Sequence, residues 1–351
     1  MTLLHLTVVI TCALALGWFM KKINLPSLIG MIITGIIMGP YALDLINPWV
    51  INVSADLRQV ALMVILARAG LALDIEALRK VGKPAILMAF IPPVLEIGAV
   101  TLLAPMLLPI THLDAAIMGT VLSAVSPAIV VPRMLFMVKK GQGAEKGIPQ
   151  LVVAATSING IFAIVLFALL LWVEGSSAGA DMILRSAILP LVIVVAGAVV
   201  LRYFRNFAAR SSKILAKIWI PTEIMLFVLV GAAINVNYVA EVSIAAIAVI
   251  VVALFFRICG VPLCLIGTRL SFRERVFCAI AYVPKATVQA AIGSTALAIG
   301  MDAGHIILLV AVLAILITAP LGALGIDFMR LNVFGCGIQS KTICSEESHL
   351  K

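Results

Sequence analysis

The chain has 351 residues, 63% of them hydrophobic and only 12% charged, with a mean hydropathy of +1.21. Soluble domains carry about a quarter of charged residues, so a water-soluble fold is excluded and a membrane protein is implied. The net charge of +9 would suit nucleic acid or an anionic surface, but the Lys and Arg residues recur between apolar runs, which makes the basicity a matter of membrane topology rather than nucleic-acid binding.

The apolar runs are about 15 to 25 residues long, enough to cross roughly 30 Å of hydrocarbon as helix. A β-barrel would instead show short alternating segments. In chain order the predicted spans lie at about 3–20, 25–39, 58–73, 84–108, 115–137, 148–172, 183–200, 221–235, 242–267, 275–297 and 305–325. The first apolar run lacks a basic start, and Lys21 and Lys22 follow it, so it reads as a retained helix rather than a secretory signal. Every second connection is basic, with Arg79, Lys80 and Lys83, then Lys139, Lys140 and Lys146, then Arg202, Arg205, Arg210, Lys213 and Lys217, then Arg269, Arg273 and Arg275. The intervening loops carry Asp44, Asp114, Glu174, Asp181, Glu241 and Asp302. The positive-inside rule then places the N-terminus outside and the C-terminus inside, in a manner that fits a bacterial cytoplasmic membrane. Cys12, Cys259, Cys264, Cys278, Cys336 and Cys344 show no metal-ligand spacing, so neither a metal site nor a disulfide framework is expected. The tail beyond Arg330 has no helical periodicity and reads as a short disordered end.

An ionisable group near the bilayer centre costs at least ~2.5 kcal/mol on insertion scales, so it needs a partner, a cavity or a purpose. Four such residues stand out: Arg68, Glu96, Arg257 and Lys285. Glu96 and Arg257 are each mid-span and are expected to pair, either as a packing salt bridge or as part of a transport pathway. Arg68 lies near a span end, where it can snorkel to the interface. Two spans are interrupted by proline beside small or polar residues, at Ser126-Pro127 and at Pro284-Lys285. Backbone groups freed by such a break must be satisfied by protein or by water in a cavity, and transporters place ion sites there; a plain kink is the alternative. The intervening span carries Thr156, Ser157 and Asn159-Gly160 near mid-depth, as a site or as small-residue packing polarity. No span offers a nucleophile with a base, and His5, His112, His305 and His349 are scattered, so an enzyme is not expected. No cofactor is implied.

With these residues in view the chain resembles the monovalent cation:proton antiporter superfamily, in particular its NHA-type (9B-like) sodium/proton exchangers. The resemblance is carried by Leu25-Pro26-Ser27-Leu28-Ile29-Gly30, by Arg68 to Asp74, by Ala124 to Pro132, by Glu145-Lys146-Gly147-Ile148-Pro149 and by Pro284 to Gly293. It implies an all-α polytopic fold of about eleven helices, built as an inverted repeat with two broken helices crossing near the midplane at Pro127 and Pro284. It also implies an elevator-like cycle, a homodimer, and Glu96, Arg257 and Lys285 as the family's buried acid and bases. Two departures stand against the family pattern. Two consecutive aspartates are expected where this chain reads Asn159-Gly160, and two further helices are expected where it has only the basic linker 201–220.

The expected organisation is scaffold helices over 1–83, a first half of the transport core over 84–172, a shortened linker and scaffold region over 183–241, a second half of the core over 242–325 and a tail over 326–351. The expected function is exchange of sodium or lithium for protons by alternating access. Neutral oxygens of Ser126, Thr156 and Asn159, with Gly160 and Lys285, would form the ion site, and Glu96 or another acid would carry the proton. Asn159 offers no titrating proton, so a transport-inactive or uncoupled member, acting as scaffold, regulator or passive ion pathway, is the alternative. Membrane lipid is the only other partner expected.

Overall fold

The computed structural model describes residues 2–71, 82–174 and 189–335, and its ordered elements are α-helices. They are α1 (Thr2–Lys22), α2 (Ser27–Met38), α3 (Pro48–Asn52), α4 (Ser54–Leu71), α5 (Lys83–Leu107), α6 (His112–Ser123), α7 (Pro127–Lys139), α8 (Ile148–Glu174), α9 (Leu189–Tyr203), α10 (Arg205–Ala232), α11 (Val236–Cys264), α12 (Phe272–Ala281), α13 (Thr287–Ala298) and α14 (Gly304–Phe334). Six stretches among the described residues are long and apolar enough to cross a membrane, with α6 and α7 counted as one. The eleven spans read from hydropathy are not all recovered by that measure; among those left out, α2 has 12 residues, α9 has 15 and the α12/α13 pair is split into two short halves.

Both broken helices begin with the same local chemistry. Thr111 accepts from the Asp114 amide at 3.1 Å while the Asp114 carboxylate accepts from the Thr111 amide at 3.0 Å. Ser271 and Glu274 repeat this reciprocal arrangement at the start of α12. Such boxes satisfy amides that the first helical turn leaves free and set the start of each helix. Each first half then stops short. Residues 124–126 leave the helical conformation ahead of Pro127, and residues 283–286 do so around Pro284, as expected where proline removes a donor and restricts the residue before it.

The helices sort into two packed groups. In one, α2 packs on α1 and α10, and α4 packs on α9 and α10. In the other, α5 and α8 enclose α6 and α7, and α11 and α14 enclose α12 and α13, with α5 packed on α11. The groups meet mainly where α13 lies against α4 and α10. Close approach of α2 and α10 depends on missing side chains: a Cβ on Gly35 would fall 2.0 Å from the Val228 carbonyl oxygen, and one on Gly231 would fall 2.2 Å from that of Ile32. Small residues of this kind let membrane helices approach backbone to backbone.

Three boundaries differ from the sequence reading. The basic stretch 201–220 is helical on both sides of Phe204, and α10 runs without interruption from Arg205 into the apolar span. Its charges mark where hydrocarbon ends, whereas its Ala, Leu, Ile and Lys residues favour helix regardless. The span expected from residue 242 begins as a helix at Val236. The last helix continues to Phe334, past Arg330. Arg79, Lys80, Asp181, Cys336, Cys344, His349 and the rest of the tail lie outside the described residues.

A crossing of two broken helices as the candidate functional site

The two breaks touch through their backbones: the Ser126 amide donates to the Pro284 carbonyl at 2.9 Å. Around this bond lie the carbonyls that the ends of α6 and α12 cannot use internally. Those of Leu122, Ser123 and Ala124 accept from Lys285, Arg257 and the Gln289 side chain respectively. Arg257 also donates to the Tyr282 carbonyl at 3.3 Å. A helix C-terminus carries roughly half a negative charge, so the two cations stand where two such ends converge.

Glu96 joins them. Its Oε2 accepts from Arg257 Nε at 2.5 Å and its Oε1 from Lys285 Nζ at 2.6 Å. All three side chains have zero solvent exposure. The expected Glu96–Arg257 pair is therefore present, and Lys285 makes it a trio of one acid and two bases. Sequence reasoning placed Lys285 at the second break but did not connect it to Glu96, since residues 189 positions apart show no local signal of contact. The Lys285 amide is held by Thr318 Oγ1 at 3.1 Å, and a Cβ on Gly322, one turn further along α14, would fall 2.3 Å from Pro284. α14 thus seats the second break.

Asn159 seats the first. Its Oδ1 accepts from the Val125 amide at 2.7 Å and its Nδ2 donates to the Ser123 carbonyl at 3.3 Å. An amide can serve both, because it is donor and acceptor at once. Asn159 and Gly160 are buried in the crossing rather than turned outward. A Cβ built on Gly160 would meet nothing within 4 Å, so space remains beside Asn159. Ser126 Oγ is buried without a hydrogen-bond partner, and the Thr156 and Tyr282 hydroxyls are buried against one another with no other partner. No group of three or more His, Cys, Asp or Glu suited to a resident metal occurs among the described residues.

The pattern described as "Sodium/hydrogen exchanger, transmembrane" matches residues 8–220 and 190–329 of this chain. The chain belongs to the sodium/hydrogen exchanger family. The two matched pieces overlap at 190–220, which contains the basic stretch 201–220. Sodium/hydrogen exchanger 9B2 of Homo sapiens is 32% identical over 374 residues, covering 87% of this chain and 69% of its own length. Sodium/hydrogen exchanger 9B1 of Homo sapiens is 32% identical over 371 residues, covering 86% and 71%. The sodium proton antiporter MjNhaP1 from Methanocaldococcus jannaschii superposes with a TM-score of 0.74 at 18% identity, covering 95% of this chain and 99% of that one, which establishes the antiporter fold. This exchanger-family chain is accordingly a multi-pass membrane transporter and not an enzyme.

Two charged residues of the exchanger were missed as candidates. Arg58 is 6% exposed and donates to the Leu229 carbonyl at 3.3 Å near the end of α10. It stands at the very edge of the third predicted span, about 58–73. Glu223 lies in the apolar part of α10, hydrogen-bonded to Trp219 and near Arg68. Arg68 itself stacks on the Trp219 ring, 5.1 Å from its centre, rather than simply reaching for the interface.

Proposed function

We propose that the protein exchanges a monovalent cation, sodium or lithium, for protons by alternating access. The observation that carries this reading is the buried trio Glu96, Arg257 and Lys285 at the contact of two broken helices, with orphaned hydroxyls beside it. Coupling requires that a cation and a proton exclude one another. A cation arriving beside Lys285 repels the proton shared between its ammonium and Glu96, and return of the proton expels the cation. Ser126 and Thr156 supply neutral oxygens for a hard cation. Asn159 contributes less directly than its position suggested: its oxygen is already bonded to the Val125 amide, so it shapes the site, with Gly160 leaving room.

The group containing α5 to α8 and α11 to α14 would move against that containing α1, α2, α4, α9 and α10, along the seam where α13 meets α4 and α10. The loop charges support an N-terminus outside and a C-terminus inside. The test is flux in liposomes holding the purified full chain. Sodium- or lithium-driven proton movement that disappears in Glu96→Gln supports the reading. Sodium flux without proton movement would instead establish the uncoupled alternative, which the absence of any acid at positions 159 and 160 favours.

A further inference from the structure

We infer that the crossing also holds a small monovalent anion of the chloride class, at the N-terminus of α7 beside Ser126 and Thr156, and that this anion supplies the negative charge which the transported cation needs. The inference rests on the exchange reading above and names a second ligand of the same site. It begins with charge. Two bases and one acid leave the trio with one excess positive charge, and every side-chain hydrogen bond of Arg257 and Lys285 at the crossing goes to Glu96 or to the carbonyls of Leu122, Ser123 and Tyr282. The bases thereby balance the negative ends of α6 and α12. The positive ends of the other two half-helices, α7 and α13, converge on the same place. At α13 the Ala286 amide is satisfied by Gln289 Oε1 at 2.8 Å. At α7 the Ser126 side chain makes no capping bond.

A cation entering alone would meet this positive trio, and once it had displaced the Lys285 proton it would still find no uncommitted negative charge. Both Glu96 oxygens are engaged, and so is the Asn159 oxygen. The Ser126 hydroxyl, with zero exposure and no partner, and the Thr156 hydroxyl, which is equally buried and faces that of Tyr282, could turn an oxygen to a cation or a hydrogen to an anion; charge decides for the anion. A helix N-terminus with free hydroxyl donors is suited to one. The unfilled volume beside Gly160 gives room, and the first turn of α7 is reachable, with Pro127 half-buried and Ala128 exposed. The anion then does for sodium what a fixed carboxylate would do.

Binding coupling is reciprocal, which makes the proposal testable without relying on turnover. Retention of radioactive chloride by the purified full chain is measured with and without sodium, and sodium-driven proton movement in liposomes is measured in chloride and in gluconate. Chloride is expected to tighten sodium's apparent affinity, and sodium chloride's, by a common factor of roughly 5 to 150. Ser126→Ala removes a hydroxyl that bonds nothing in the fold and should weaken chloride retention while thermal unfolding is unchanged. Gly160→Asp supplies the charge covalently and should allow exchange in gluconate while lowering chloride retention. Equal exchange in both salts, or chloride retention indifferent to sodium, overturns the anion site and leaves the exchange reading standing. Proton movement in neither salt counts against the exchange reading, and the sodium dependence of chloride retention still decides the anion.

Discussion

At the scale of single residues, the crossing is a problem of buried charge. Neither base can be left without the acid, because removing one partner of a buried ion pair costs about 3–5 kcal/mol, far more than the pair's net worth. Glu96→Gln is expected to lower the stability of the detergent-solubilised protein by about that amount, read as a fall in the midpoint of thermal unfolding. The variant pairing this change with Lys285→Met removes the second unpaired charge and should recover part of the loss. Asn159 makes a different prediction. Asn159→Leu keeps the volume but strands the Val125 amide, while the Ser123 carbonyl keeps its bond from Arg257, so it should destabilise by about 1–3 kcal/mol in the same unfolding measurement, the usual cost of a buried polar group left unsatisfied. Pairing of Glu96 with Arg257 was legible in the sequence because two lone charges in apolar spans have few other ways to be tolerated. Lys285 as their third member was not, and neither was Gln289 as a cap for the Ala124 carbonyl, since both depend on how two breaks meet in space.

At the scale of elements, the breaks were legible from Pro127 and Pro284 and their polar neighbours, and what holds them open was not. Thr318 and Gly322 look like ordinary residues of an apolar helix, yet they lie one turn apart on α14 and receive Lys285 and Pro284. Gly322→Ala is expected to displace Pro284 and cost about 1–3 kcal/mol, as overpacking does. Gly98→Ala, where a Cβ would meet nothing within 4 Å, should be neutral or slightly stabilising by up to about 1 kcal/mol, because alanine is the better helix former. The capping boxes at Thr111 and Ser271 recur at the starts of the two broken helices, a short polar motif that hydrophobic patterning does not report. The second box is extended by Lys146, whose Nζ lies 2.9 Å from both Glu274 oxygens. Burial pushes the Glu274 carboxyl up, but the Lys146 bond and the Ser271 hydrogen bonds outweigh it and hold the group below its ordinary value. A depressed folded value means that the stabilisation is complete above the unfolded carboxyl value of about 4.3 and is lost as pH falls through the folded one. Glu274→Gln should therefore lower stability by at most about 1 kcal/mol at neutral pH, and its difference from the unaltered protein should begin to shrink as pH falls below about 4.3 and vanish only below the depressed folded value.

At the scale of the whole molecule, composition established a membrane protein and loop charges predict an orientation, while helix ends escaped because charge reports the edge of the hydrocarbon and not the end of hydrogen bonding. α10 shows the difference: its Arg and Lys residues sit on the same continuous helix as the apolar span. The orientation nevertheless makes a prediction that the fold alone does not. The loop 39–47 between α2 and α3 carries Asp44 and no Lys or Arg, whereas the loop 265–271 ahead of α12 carries Arg269 and no acid. Tyr41 and Arg269 are exposed within them. In a background without the six native cysteines, Tyr41→Cys should react in intact cells with a maleimide that does not cross membranes, and Arg269→Cys should react only after permeabilisation. The inverse pattern would place the basic loops outside against the positive-inside rule and turn α13's seam with α4 and α10 over with them, so that the Lys139 end of α7 would face the external side. The labelling pattern thus fixes which ion gradient the Glu96–Lys285 proton would have to work against, because each net charge moved is worth ~2.3 kcal/mol per 100 mV with a sign set by orientation.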